Sequence, residues 1–142
     1  MSKYIDKVFG EIIHDIYFIK DYEITIFDQN HKVKLIVQAS TLERITEFHR
    51  DTFIEFEKHR FEIIKKLELK AIQYCGEKYG VSSDKNILSK LSLSSILINY
   101  NCDNENRIIG FVINDEYDPE MGIGIEMINE EVHAIGTQHL VC

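Results

Sequence analysis

The first third of the chain alternates apolar and polar positions with a period of two. Residues 22–27 place apolar side chains on one face and polar side chains on the other, and residues 32–37 repeat the pattern. This period is typical of half-buried β-strands. The polar residues 28–31 between them predict a four-residue hairpin loop, and the apolar segment 12–19 predicts a further strand. We therefore expect three strands before any helix.

The period then changes to that of a helix. Ser40 and Glu43 have the spacing of a capping box, in which both side chains satisfy free backbone N–H groups, and Thr46 is an alternative start. From Glu47 to Tyr79 apolar side chains recur at helical spacing, and acidic residues precede lysines in the order that the helix dipole favours. The pattern predicts one long helix that ends at Gly80 and is longer than the sheet it covers.

Strand patterns return in the second half, over residues 96–100, 107–114, 123–127 and 132–135. Residues 107–114 are apolar on both faces, which indicates a central strand that is covered on both sides. Residues 86–91 indicate one further helical turn. The predicted order is β-β-β-α-β-β-β-β. It defines an α+β fold in which an antiparallel β-sheet packs one face on one long central α-helix.

The composition indicates a single globular domain over residues 1–142. Apolar residues make up 44% and charged residues 28%, with one proline and seven glycines, which is typical of a folded protein without a flexible linker. The sequence shows neither a secretory signal nor an apolar run long enough to span a membrane. Its three cysteines are odd in number and form no C-x-x-C pair, which favours reduced thiols. We predict a cytoplasmic protein.

The negative charge is concentrated at the C-terminal end. Residues 108–142 contain seven carboxylates and no lysine or arginine, whereas the first 107 residues hold 17 acids and 16 bases. A one-sided negative field disfavours nucleic acid and anionic membranes and favours a basic protein or a cation. Four of the carboxylates lie in residues 114–122, which we call the acidic loop. They are Asp115, Glu116, Asp118 and Glu120.

Three interpretations of the acidic loop remain open from the sequence. It docks a basic protein, it holds a hard cation through oxygen ligands, or it is a solvated turn set by Asp118 and Pro119. Its spacing is not that of an EF-hand, and the chain contains neither H-E-x-x-H nor G-x-S-x-G nor a phosphate-binding glycine loop. We therefore assign no catalytic residue, metal ligand or cofactor. The balance favours a protein that is not an enzyme.

Three short motifs follow one another near the C-terminus. Residues 107–111 read R-I-I-G-F, residues 118–124 read D-P-E-M-G-I-G, and residues 132–138 read V-H-A-I-G-T-Q. Together they resemble an uncharacterised family of small bacterial domains with an IGF strand, a W-D-P-E-H-G-L-G loop and a closing V-G-P-Q-D segment. The similarity extends over residues 16–142.

The chain departs from the family pattern at four places. Glu130 follows Asn129 where glycine is expected, and its presence disfavours a two-residue type I′ turn. Met121 replaces a histidine, which removes a potential ligand or base and argues against catalysis. The other departures are Tyr117 for tryptophan and Thr137 for proline. The resemblance implies the α+β fold but no established activity. It also implies an association with bacterial gene neighbourhoods of contact-dependent or polymorphic toxins, where small acidic proteins act as immunity factors.

These observations lead to one preferred function and two alternatives. We expect a protein-binding module of immunity type that neutralises a basic toxin domain or another basic partner. Its predicted contact residues are Asp115, Glu116, Asp118 and Glu120. One alternative is a metal-dependent hydrolase that uses the same carboxylates. The other is a structural module in which the projecting end of the long helix forms a homodimer contact.

Overall fold

The computed structural model describes residues 2–38, 44–99 and 105–142. The predicted Ser40–Glu43 capping box, and Cys102 with the polar turn around it, lie outside these residues. Strands precede and follow a group of helices along the chain. The elements are β1 (Ser2–Asp6), β2 (Gly10–His14), β3 (Phe18–Ile26), β4 (Gln29–Val37), α1 (Glu47–Lys58), α2 (Arg60–Tyr79), α3 (Asp84–Ser89), β5 (Leu91–Ile98), β6 (Ile108–Asp115), β7 (Ile123–Ile128), β8 (Glu131–Gly136) and a 3₁₀ turn (Gln138–Leu140).

All eight strands form one sheet in which spatial order follows chain order. Neighbouring strands are antiparallel except β4 and β5, which run parallel, with Leu35 beside Ile96. A parallel pair requires a long crossover, and the three helices between β4 and β5 supply it. The predicted mostly antiparallel sheet with helices is therefore confirmed, and the expectation of an entirely antiparallel sheet is wrong.

The predicted order of elements is wrong at the N-terminus, where four strands precede the helices. The segment 12–19 was expected to be one strand, but the chain turns at residues 15–17, where the Asp15 N–H donates to the Tyr17 carbonyl. β1 was not predicted because its first four residues are exposed and show no alternation. The expected four-residue loop after β3 is a two-residue turn, Phe27-Asp28, in which both residues have positive φ.

The single long helix is also wrong, because the chain breaks at His59. The His59 N–H still donates to the Glu55 carbonyl, but φ −108° and ψ 19° are not helical, and α2 begins at the next residue. Glycine and proline, the usual signals of a break, are both absent here. The two shorter helices pack on one face of the sheet, where Phe56 of α1 and Leu67 of α2 are fully buried with Phe111 of β6.

α1 begins at the predicted alternative cap, Thr46. Its hydroxyl accepts a hydrogen bond from the His49 N–H (3.3 Å), and the Thr46 N–H donates to His49 Nδ1 (3.0 Å). The reciprocal pair is a capping box in which histidine takes the position usual for glutamate or glutamine. His49 is buried, so this cap belongs to the core as well as to the helix.

The C-terminal residues cover part of the opposite face of the sheet. Val141 packs in a small apolar cluster with Leu97 and Val112. The chain passes so close to β7 that a Cβ placed on Gly124 would lie 2.7 Å from the Thr137 carbonyl oxygen. Only glycine fits this crossing without a shift of the backbone.

Candidate functional site

The acidic loop begins at a buried carboxylate. Residues 109, 111 and 113 of β6 point toward the helices, and the same alternation places Asp115 on that side, with 1% of its surface exposed. Its carboxylate accepts hydrogen bonds from the Tyr79 hydroxyl (2.6 Å) and from the Tyr117 N–H (2.9 Å). A buried charge needs such donors to replace water. Asp115 therefore anchors the loop to the end of α2 and does not lie at the surface.

The environment of Asp115 keeps the neighbouring groups protonated. Burial, and then the hydrogen bond to the carboxylate, raise the pKa of Tyr79, so its hydroxyl remains a donor at physiological pH. Burial, and then the charge of Asp115, raise the pKa of the Cys75 thiol to about 11. A buried thiol with a raised pKa is a poor nucleophile, so Cys75 is part of the core and not a reactive group.

Backbone hydrogen bonds and a ring stack fix the shape of the acidic loop. The Asp118 N–H donates to the Asp115 carbonyl (3.0 Å), and the Gly122 N–H donates to the Asp118 carbonyl (2.9 Å). Gly122 has φ +58°, a conformation that glycine adopts at little cost. The Tyr117 ring stacks on Tyr79 with centroids 4.8 Å apart. The loop is therefore held in one arrangement by contacts within itself and with α2.

The structure places three of the four predicted contact residues where a partner can reach them. Glu116 and Glu120 are exposed, and Asp118 is half-buried. Basic side chains lie at the edge of two of them, with Lys90 Nζ 4.0 Å from Glu116 and Lys78 Nζ 3.7 Å from Asp118. Both distances are at the long end for ion pairs, and exposed pairs of this kind contribute about 0–1 kcal/mol to stability.

Other bases from earlier in the chain meet the rest of the C-terminal carboxylates. Arg107 holds Glu130 with two hydrogen bonds of 2.8 Å, and Lys66 lies 2.7 Å from Glu131. The negative charge that is concentrated in the sequence is thus partly neutralised in space. Glu120 is the loop carboxylate for which the structure shows neither an ion pair nor a side-chain hydrogen bond.

A second cluster of polar side chains lies where α1 meets α2. Within the described ranges it is the one group of histidine, cysteine and acidic residues that could hold a metal ion, since one ligand atom from each of Glu55, His59 and Glu130 lies within 4.8 Å of the others. Arg107 already engages both oxygens of Glu130, and Glu62 faces the other ring nitrogen of His59. Ion pairs within the protein account for this cluster. The acidic loop does not belong to it.

Sequence reasoning missed Tyr79, which organises the acidic loop. The signal was present, because Tyr79 follows Leu67, Ala71 and Cys75 at intervals of four residues and so continues the buried stripe of α2. The bases at the rim of the loop were missed for a different reason. Lys78 and Lys90 lie 40 and 28 residues before Asp118 in the sequence, and only the fold brings them to it.

The fold and the loop together define an α+β protein with an eight-stranded, mostly antiparallel sheet, helices on one face and an ordered carboxylate-bearing loop. None of the described helices is long and apolar enough to cross a membrane. Residues 8–142 match the family described as Domain of unknown function (DUF6985), and the chain belongs to that family. The predicted membership in an uncharacterised family is thereby confirmed. No curated protein and no solved structure is significantly similar to the chain.

Proposed function

We propose that this protein is a protein-binding module that recognises a basic partner through the surface of the acidic loop. The observation that carries the proposal is the arrangement of Glu116, Asp118 and Glu120 on a loop that the buried Asp115–Tyr79 hydrogen bond holds in place. Carboxylates on an ordered loop do not have to be immobilised when a partner binds, so less conformational entropy is lost on association.

The loop carboxylates act mainly on the rate and specificity of association. Charges at the rim of an interface steer encounter and reject partners of like charge, and they add little to the final affinity. Lys78 and Lys90 lie at the far limit of ion pairing and can exchange their carboxylates for a basic side chain of the partner. A basic toxin domain, neutralised by occupation of its cationic cleft, is the partner class we propose.

The test begins with tagged protein as bait in a lysate of its own host at low ionic strength, which identifies the dominant bound protein by mass spectrometry. The association rate with that purified partner is then measured as a function of salt. The triple variant Glu116→Gln, Asp118→Asn and Glu120→Gln should associate about tenfold more slowly at low salt and show a flatter salt dependence. Its melting temperature should stay close to that of the parent.

A matched control removes three negative charges elsewhere, with Asp15→Asn, Glu23→Gln and Asp28→Asn. All three residues are exposed and lie outside the C-terminal segment. If the two triple variants associate at the same rate and with the same salt dependence, net charge and not the acidic loop governs binding, and the proposal is wrong. If the dominant bound protein is acidic, the proposed class of partner is wrong.

A further inference from the structure

A groove runs between helix α2 and strand β8. It consists of three depressions in a row, and neighbouring depressions share lining residues. Lys66 and Glu131 belong to the first and the second, and Lys70 and Gln73 belong to the second and the third. On α2 the lining extends from residue 63 to residue 77, roughly 21 Å at the helical rise. About six residues of extended chain span that length.

One wall of the groove is the edge of the sheet. β8 is the last strand and pairs on one side only, with β7. Alternate residues of an edge strand direct their backbone N–H and C=O groups away from the sheet, where they are ready to pair with another extended chain. A helix beside an open strand edge is the arrangement in which added peptide strands bind, because the edge supplies main-chain hydrogen bonds and the helix supplies side-chain pockets.

The side chains of the groove indicate the chemistry of the occupant. Leu69 of α2 is 68% exposed, and Val132 and Ile135 of β8 are half-buried beside it, so the lining is apolar along its length. The charge of Lys66 is already met by Glu131 at 2.7 Å. Lys70, by contrast, makes no ion pair with any described residue. The base that remains in the middle of the groove favours a carboxylate in the occupant.

We propose that this groove binds an extended segment of a partner protein, which adds to β8 as a ninth strand. An apolar side chain of the segment packs on Leu69 and Val132, and an acidic side chain of the segment pairs with Lys70. The inference does not rest on the acidic loop, which selects for the opposite charge.

The experiment selects binders from a phage-displayed library of random 12-residue peptides on the intact protein. We expect enriched sequences that alternate apolar residues and carry an acidic residue. A fluorescently labelled synthetic peptide of that sequence should lose at least about tenfold in affinity on Leu69→Asp or Lys70→Glu, since it loses an apolar contact or meets a like charge. A peptide with its acid changed to lysine should bind the Lys70→Glu variant better than it binds the parent.

Two controls make the same changes on α2 outside the groove. Phe61 is 82% exposed and Lys65 is exposed, and neither lines any of the three depressions. Phe61→Asp and Lys65→Glu should leave the affinity within about twofold. Thermal melting of all four variants separates loss of binding from loss of folding. Addition of the peptide should also slow hydrogen exchange of amides in Glu131–Gly136.

Three results would overturn the proposal. The library yields no sequence enriched above selection on the heat-unfolded protein. The selected peptide responds to the Phe61 and Lys65 changes and not to those at Leu69 and Lys70. Light scattering shows a dimer that the peptide does not dissociate, in which case the edge of β8 is occupied by a second copy of the chain.

Discussion

The hydrogen bond between Tyr79 and Asp115 offers a direct test of how the acidic loop is held. Replacing Tyr79 by phenylalanine removes the hydroxyl and leaves the ring that stacks on Tyr117. The carboxylate of Asp115 is 1% exposed, so water does not readily replace the lost donor. A hydrogen bond to a charged group contributes about 1.5–3 kcal/mol to folding. In a chain of this length that corresponds to a drop in melting temperature of about 5–12 °C.

The assay is thermal unfolding followed by circular dichroism, with hydrogen exchange as a local readout. The Tyr117 N–H donates to the same carboxylate at 2.9 Å, so its exchange should accelerate in Tyr79→Phe as the loop loosens. Tyr74→Phe is the matched control. Tyr74 lies on the same helix, and the one hydrogen bond shown for its hydroxyl is an exposed contact with Lys78 Nζ at 3.3 Å. Its replacement should change stability by no more than about 0.5 kcal/mol.

A double-mutant cycle isolates the bond itself. If Asp115→Asn and Tyr79→Phe act through one contact, the double variant loses less stability than the sum of the two single changes. Equal melting temperatures for Tyr79→Phe and Tyr74→Phe would refute the reasoning, because the buried carboxylate would then not depend on the tyrosine. Strict additivity of Tyr79→Phe and Asp115→Asn would lead to the same conclusion.

Two further predictions concern the packing of the C-terminal residues and the cap of α1. Gly124→Ala should destabilise the fold by roughly 1–3 kcal/mol in chemical denaturation, because the new Cβ would lie 2.7 Å from the Thr137 carbonyl oxygen; Gly136→Ala, whose Cβ would meet nothing nearer than 4.0 Å, is the control, and equal midpoints would contradict the clash. Burial, and then the charge of Arg50, hold the pKa of His49 below its ordinary value of 6.5, so the unfolded chain takes up the proton first and this stability is lost as the pH falls from about 6.5 through the lowered pKa of the folded state. Melting temperatures from pH 8 to 5 should therefore fall less steeply for His49→Gln than for the parent, and parallel curves would show that His49 does not contribute.

The sequence predicts those parts of the fold that depend on local periodicity. β3 and β4 were found because one face of each is buried and the other is solvated, which imposes a period of two. β1 was not found because the burial of its residues does not alternate. The break at His59 escaped for a similar reason: a residue without a special backbone preference can interrupt a helix when packing on the sheet requires it, and local pattern does not record such packing.

The β7–β8 turn shows tertiary contacts overriding local preference. Glu130 was expected to disfavour a type I′ turn, yet Asn129 and Glu130 adopt φ 49° and 66° in a two-residue connection. The fork of Arg107 on Glu130 and the bond from the Arg107 N–H to Asn129 Oδ1 hold these conformations. Arg107 lies more than 20 residues away in sequence, so no reading of the turn alone predicts this compensation.

The acidic loop shows which properties of a site the sequence carries and which it lacks. The position of the carboxylates between two strands was predicted, and so was the run of alternating residues that ends at Asp115. Extending that alternation by one step would have placed Asp115 on the buried side, as the structure does. The neutralising bases follow only from the fold, because charge summed along a segment contains no information about which distant side chains pack against it.

The two proposed surfaces depend on one helix but respond to different physics. The end of α2 holds the acidic loop through Tyr79, and its middle lines the groove beside β8. Association through exposed carboxylates weakens steeply as salt screens the charges, with a Debye length of about 8 Å at physiological ionic strength. A segment added to β8 is held mainly by main-chain hydrogen bonds and apolar contact, which salt affects far less. A partner that uses only the loop would therefore be released by salt and be indifferent to Leu69→Asp. A partner that uses only the groove would resist salt and be lost with that substitution, so the failure of one proposal would leave the other intact.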